Sequence, residues 1–223
     1  MRIENFNSEQ VAQLIAQAGK IAVVPAKVAG TDAFCAAVGL YTMLKDSGKE
    51  TSLIYTGKVP DNAVNLVKPD EIVSNISQRE LVVRIDYSGT PAARAHYSTE
   101  DDIFVLRLSP VPREFDLDNV RIKVTGFDFD LMIVVGAQSL EDLGGVFKDL
   151  RQEFDRSRIL NLDNVERNER FGVANVVDTR AESLSMLIYE NAFAWGLKPN
   201  SKSAKALLTG MMHRNGVEQN GRN

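Results

Sequence analysis

Apolar and polar positions along the chain follow two periods, and the changes from one to the other mark out the elements. Residues 8–18 carry Val11, Leu14 and Ile15 at helical spacing, with Gly19 as a stop. IAVVP (21–25) is a short continuous apolar run, the pattern of a buried strand. The turn KVAGT leads to Asp32, expected to cap a helix over 33–47 that Gly48 ends. TSLIY (51–55) gives a second strand, so the unit is strand–helix–strand, with a right-handed crossover and parallel pairing. Pro60 opens a short predicted helix over 60–67.

The middle of the chain differs. LVVRIDYS (81–88), DIFVLRLS (102–109) and VRIKVTGF (120–127) are β-rich with no helix between them, which predicts a hairpin or a small antiparallel addition to the sheet. The α/β pattern then returns. DLMIVVG (130–136) is a strand, and 139–154 is helical with a weak point at Gly144 and Gly145. SRILNLD (157–163) is another strand. Thr179 and Glu182 fit a capping box opening a helix over 181–195, stopped by Gly196, and 201–212 forms the last helix. Residues 1–215 therefore read as one α/β domain with a β insertion at about 81–127, and 216–223 as a polar tail.

Composition narrows the function classes. With 223 residues, 44% hydrophobic and 25% charged, the chain can bury a sizeable core. Its formal net charge of −4 provides no general basic field for nucleic acid. The single cysteine, Cys35, precludes an internal disulfide framework and suits a reducing cytoplasm. The polar, acidic start is unlike a signal peptide. No apolar run approaches the roughly 18 residues of a membrane span. One cysteine and two distant histidines, His96 and His213, do not make a usual structural zinc site.

The most specific segment is NLDNVERNERFGVANVVDTRAESLSMLIYE (161–190). Asn168, Phe171, Gly172, Asn175 and Asp178 fit a frame that resembles the third motif region of DHH-superfamily (RecJ-like, oligoribonuclease-type) phosphoesterases. The stretch from Val23 to Glu50 resembles the first motif region: Asp32 matches its second aspartate, while Ala26 stands at the histidine position and Gly30 at the first aspartate. Gly136 stands at the second-motif aspartate, and Asp163–Asn164–Val165 replaces Asp-His-His. The helix before His213 and Arg214 resembles the family helix preceding a further aspartate.

The resemblance implies a Rossmann-like, mainly parallel sheet with helices on both faces and an antiparallel β insertion. It also implies two-metal phosphate-ester hydrolysis with Mn²⁺ or Mg²⁺. It further implies a second, smaller substrate-binding domain after the first, and no such domain is read here. Of the family's ligand positions only Asp32 and Asp163 keep an ionisable oxygen donor. Gly30, Gly136 and Val165 have no ligating side chain, and Asn164 is a weak neutral donor. Ala26, Gly30, Gly136, Asn164 and Val165 thus mark a vestigial cleft at the C-terminal strand ends, where Asp32, Gly136 and Asp163 are expected to converge.

Plainer roles stand beside these. Asp32 reads as the N-cap of its own helix, Asp163 as an acceptor of backbone hydrogen bonds, Asp178 as part of the following cap and Asn164 as a turn residue. His213 with Arg214 reads as a solvated helix end, His96 as surface and Cys35 as core. AGTDAF places amides before a helix but lacks a full dinucleotide or P-loop pattern. There is no Gly-x-Ser-x-Gly elbow. KSAKALLTGMMHR (202–214) reads as a solvated basic face.

The leading expectation is a non-catalytic pseudo-enzyme domain without a cofactor, binding a nucleotide, a nucleic-acid end or a protein partner. One alternative is a phosphoesterase or exonuclease of weak or altered activity, holding one Mn²⁺ or Mg²⁺ on Asp32, Asp163 and Asp178. Another is a structural subunit that uses the β insertion as an interaction edge.

Overall fold

The structure, a computed structural model, describes residues 8–76, 80–86, 94–111, 115–125 and 127–213. The chain divides into two units, one formed by 1–77 with 127–223 and the other by 78–126.

The first unit opens with α1 (Ser8–Gln17), β1 (Lys20–Pro25), α2 (Gly30–Asp46), β2 (Glu50–Ile54) and the two-residue β3 (Ile72–Val73). The second unit supplies β4 (Glu80–Ile85), β5 (Arg94–Glu100), β6 (Ile103–Ser109) and β7 (Val120–Thr125). The first unit then resumes with β8 (Leu131–Val135), α3 (Gly145–Asp149), α4 (Arg151–Arg156), β9 (Arg158–Asp163), β10 (Ala174–Val177), α5 (Leu184–Ala192) and α6 (Ser201–Met212).

Six strands of the first unit form one wholly parallel sheet in the order β10-β9-β8-β1-β2-β3. The apolar runs predicted as strands occupy its middle because a parallel strand covered on both faces has no solvated side to make polar. Side chains alternate between two cores. Ile21, Val23, Leu131, Ile133 and Val135 pack with α1, α2, α5 and α6 on one face. Ala22, Val24, Met132 and Val134 pack with Val146, Phe147, Leu150 and Phe154 of the α3–α4 segment on the other. α2 packs against the sheet and against both α5 and α6, so it is apolar nearly all round. No helix among the described residues is long and apolar enough to cross a membrane.

Several expectations shift. The helix predicted over 139–154 is broken, as its paired glycines suggested: a 3-10 turn over Leu140–Leu143 ends at Gly144, φ +57°, before α3 and α4. The segment 60–67 holds only a 3-10 turn, Asp61–Ala63. α5 starts at Leu184 with Ser183 as its N-cap, the Ser183 hydroxyl accepting from the Met186 amide at 3.0 Å, so Thr179 and Glu182 are not its capping pair. β3, β5 and β10 lie in segments where no strand was expected.

The β insertion does not extend the main sheet. β4 pairs with β7 and β5 with β6, both antiparallel, in two separate two-stranded ribbons. β5 and β6 are joined through Asp101 and Asp102, both at positive φ (47° and 66°), the twist a two-residue hairpin needs.

Candidate functional site

The C-terminal ends of β1, β8 and β9 bring the motif positions to one end of the sheet. The Ala26 amide donates to the Val135 carbonyl at 2.9 Å, and the Gly136 amide to the Leu162 carbonyl at 2.8 Å, so the three strand ends are laced together. Ala26, at the histidine position, is fully buried in the second core.

Asp32 does not cap its own helix. α2 begins at Gly30, which places Asp32 in its first turn, and the carboxylate turns instead to α5, 152 residues further along. Its two oxygens accept from the Leu184 amide at 2.6 Å and the Ser185 amide at 3.1 Å. With Ser183 serving the third amide, the first three N–H groups of α5 all have protein acceptors. The Asp32 carboxylate therefore stands where an exogenous anion would sit at that helix end. It is only 4% exposed. α6 seals it: a Cβ at Gly210 would stand 2.9 Å from both Asp32 Oδ1 and the Cys35 Cβ, so only glycine permits the approach. Burial raises the Asp32 carboxyl above its ordinary range, and the hydrogen bonds it accepts oppose that shift without offsetting it. Burial first, with the Asp32 charge second, pushes the Cys35 thiol to about 12, consistent with an inert core residue.

The two glycines at aspartate positions differ in kind. Gly30 is exposed, and its φ of 67° with ψ of −148° is a conformation essentially reserved for glycine. Gly136 has φ +76°, and a Cβ there would come within 2.7 Å of Leu184, 2.8 Å of Ala29 and 3.2 Å of Ala33. Apolar atoms thus fill the place where a second-motif carboxylate would begin.

Asp163, 1% exposed, ends β9. Its oxygens accept from the Asn164 amide at 2.8 Å and from Asn168 Nδ2 at 2.8 Å, and the Val165 amide adds a further bond. Burial raises this carboxyl too, against those hydrogen bonds. Asn168 Nδ2 also donates to the Ala137 carbonyl at 2.7 Å, tying β9 to the β8 exit. Asn161 Nδ2 donates to Asn168 Oδ1 (2.6 Å) and to Asn175 Oδ1 (3.2 Å), while Asn175 exchanges bonds with Gly172 (3.0 and 2.8 Å). A Cβ at Gly172 would lie 2.5 Å from the Ala174 carbonyl and 2.8 Å from that of Ile159. Asn168, Gly172 and Asn175, three of the residues that made 161–190 resemble a known motif, are therefore the ones that fold the loop between β9 and β10 back onto β9. Asn161 was not singled out from sequence, where it is an ordinary polar position in an apolar strand.

The remaining positions have structural partners. Asn164 Nδ2 donates to the Ala181 carbonyl at 3.0 Å, linking the β9 exit to the α5 approach. Val165 is 38% exposed at the rim. Asp178 forms a forked pair with Arg180 (2.9 Å from both Nε and Nη2), which holds its carboxyl below the ordinary range. His213 ends α6 with Nδ1 2.8 Å from the Thr209 carbonyl; Arg214 lies outside the described residues. Among the described residues, no three His, Cys, Asp or Glu side chains are grouped to hold a metal ion. With Asp32 and Asp163 hydrogen-bonded through both oxygens and the two glycine positions closed by conformation or packing, the residues present do not fit a two-metal centre.

No protein-family profile matches the chain, and no curated protein matches it. Among solved structures, it is similar to the crystal structure of an exopolyphosphatase-related protein from Bacteroides fragilis, with a TM-score of 0.63 at 15% sequence identity. The similarity covers 93% of this chain and 49% of that one, so the chain spans about half the length of the protein whose fold it shares.

Proposed function

We propose that this chain is a phosphoesterase-like domain that works by binding and not by two-metal hydrolysis at its strand ends. The observation that carries the reading is the position of Asp32: the surviving ligand candidate of the first motif caps α5 from a buried site beneath α6. A carboxylate buried beneath α6 and engaged by two helix amides is poorly placed for a hard divalent cation, which needs several oxygen ligands. The fold likeness and the resemblance of 161–190 to DHH phosphoesterases support common architecture, and architecture alone does not carry activity.

The test is hydrolysis of a short 5′-phosphorylated dinucleotide by the purified chain with excess Mn²⁺, beside Asp32→Asn. That variant keeps the shape of the side chain and one acceptor oxygen for α5. The expected result is no turnover by either protein and no Mn²⁺-dependent rise in Tm. Cleavage by the wild type that disappears in Asp32→Asn would overturn the proposal.

A further inference from the structure

A concavity lies on the face of the sheet that α2 and α6 cover, away from the strand-end site. It is a groove of about 570 Å³ between the last turns of α2, the segment 64–71 and the first half of α6. Lys45, on its α2 wall, lies three to four helical turns from Asp32, about 20 Å along the axis, so the groove is separate from the strand-end site.

Four lysines and two carboxylates line it: Lys45, Lys68, Lys202 and Lys205 against Asp46 and Glu71. Both carboxylates already have partners. Glu71 takes Lys45 at 2.7 Å, an arrangement that lowers the Glu71 carboxyl, and Asp46 accepts from the Asn200 side chain. Among the described residues, Lys68, Lys202 and Lys205 are in no ion pair. Lys202 and Lys205 are three apart on α6 and share a face. A chain of net charge −4 thus places a net positive lining around one concavity, since the neutral Asn200 amide leaves the Asp46 charge in place and four lysines still outnumber two carboxylates. The segment 64–71 adds apolar surface from Val64, Leu66 and Pro69 beside the polar Asn65 and Lys68, with Val64 half exposed. The basic residues at the start of α6, read from sequence as a solvated face, are on this groove's rim.

We propose that this groove binds a small phosphate-bearing ligand with an apolar body. Lysine ammonium groups act as point-charge partners for a phosphate dianion, and the 64–69 wall takes the organic part out of water. The site is independent of the strand-end reading, since none of its lining residues belongs to the motif positions.

The test is calorimetric titration of the full chain with phenyl phosphate and with inorganic phosphate at low and physiological salt. Two variants go beside it: Lys202→Glu with Lys205→Glu, and a charge-matched control, Lys148→Glu with Arg156→Glu, on the other face of the sheet. The expected result is saturable binding of phenyl phosphate, tighter than inorganic phosphate and weaker at higher salt. It should fall about tenfold or more in the groove variant, and the control should match the wild type. Absence of saturable phenyl phosphate binding at millimolar concentration would overturn the proposal. So would inorganic phosphate binding equally well, or an equal loss in the control variant.

Discussion

β8 and β6 are both rich in branched and aromatic residues, yet their fates are opposite. All five residues of β8, LMIVV, are buried. In β6, IFVLRLS, five of the seven are exposed, with Ile103 64% and Phe104 66% accessible. The difference lies in neighbours. β8 has a strand on each side and helices on both faces of its sheet, whereas β6 pairs with β5 alone. A two-stranded ribbon offers no second layer on which to bury an apolar face and is marginal by itself. Its cohesion comes from cross-strand contacts such as the stacked Tyr97 and Phe104 rings, 6.0 Å between centroids. Apolar content therefore predicts a strand, but not its burial.

The contrast can be broken most severely at Gly136. Gly136→Asp places a carboxylate at the end of β8, where the phosphoesterases that the sequence resembles carry one. It must force a side chain into positive φ and against Leu184, Ala29 and Ala33, at a cost of roughly 3 kcal/mol or more. Urea unfolding followed by circular dichroism reads this directly. A variant as stable as the wild type that also gains Mn²⁺ affinity would show that the strand end is an open cleft.

A smaller effect is expected from pH at Asp163. Its carboxyl is raised in the folded state, so the fold holds this proton more tightly than the unfolded chain does. The associated stability is fully present below the unfolded pKa, near 4, and is lost as pH rises through the folded value. Wild type should therefore lose stability relative to Asp163→Asn as pH rises from about 4 to 7, as urea midpoints across that range will show. The opposite slope would mean that the hydrogen bonds from Asn164 and Asn168 outweigh burial.

The smallest change belongs to the exposed ribbon. Tyr97→Ala with Phe104→Ala removes a solvent-exposed stack and should alter the main unfolding free energy by no more than about 1 kcal/mol. A loss of several kcal/mol in the same experiment would show that these rings are buried in the protein in solution.

Much of the architecture was legible in the sequence. The strand–helix–strand beginning, the strand at 130–136, the break at Gly144 and the buried Cys35 follow from periodicity, glycine placement and side-chain chemistry, all of which act over a few residues. Asp163 was also placed at the end of its strand, because strand length and the polar residues after it are local signals. Other features depend on residues distant in the sequence. That Asp32 caps α5 and not its own helix depends on a partner 152 positions away. The glycine requirement at 210 exists only because α6 passes over Asp32 and Cys35, and the one at 172 because its loop returns to the backbone of β9. Whether the inserted strands would join the main sheet or pair among themselves was likewise undetermined, since alternation marks a strand but names no partner. Local patterning chose the elements; long-range contacts chose which polar groups meet, and so placed the Asp32 carboxylate on the first amides of α5 and the Asp163 carboxylate on Asn164 and Asn168.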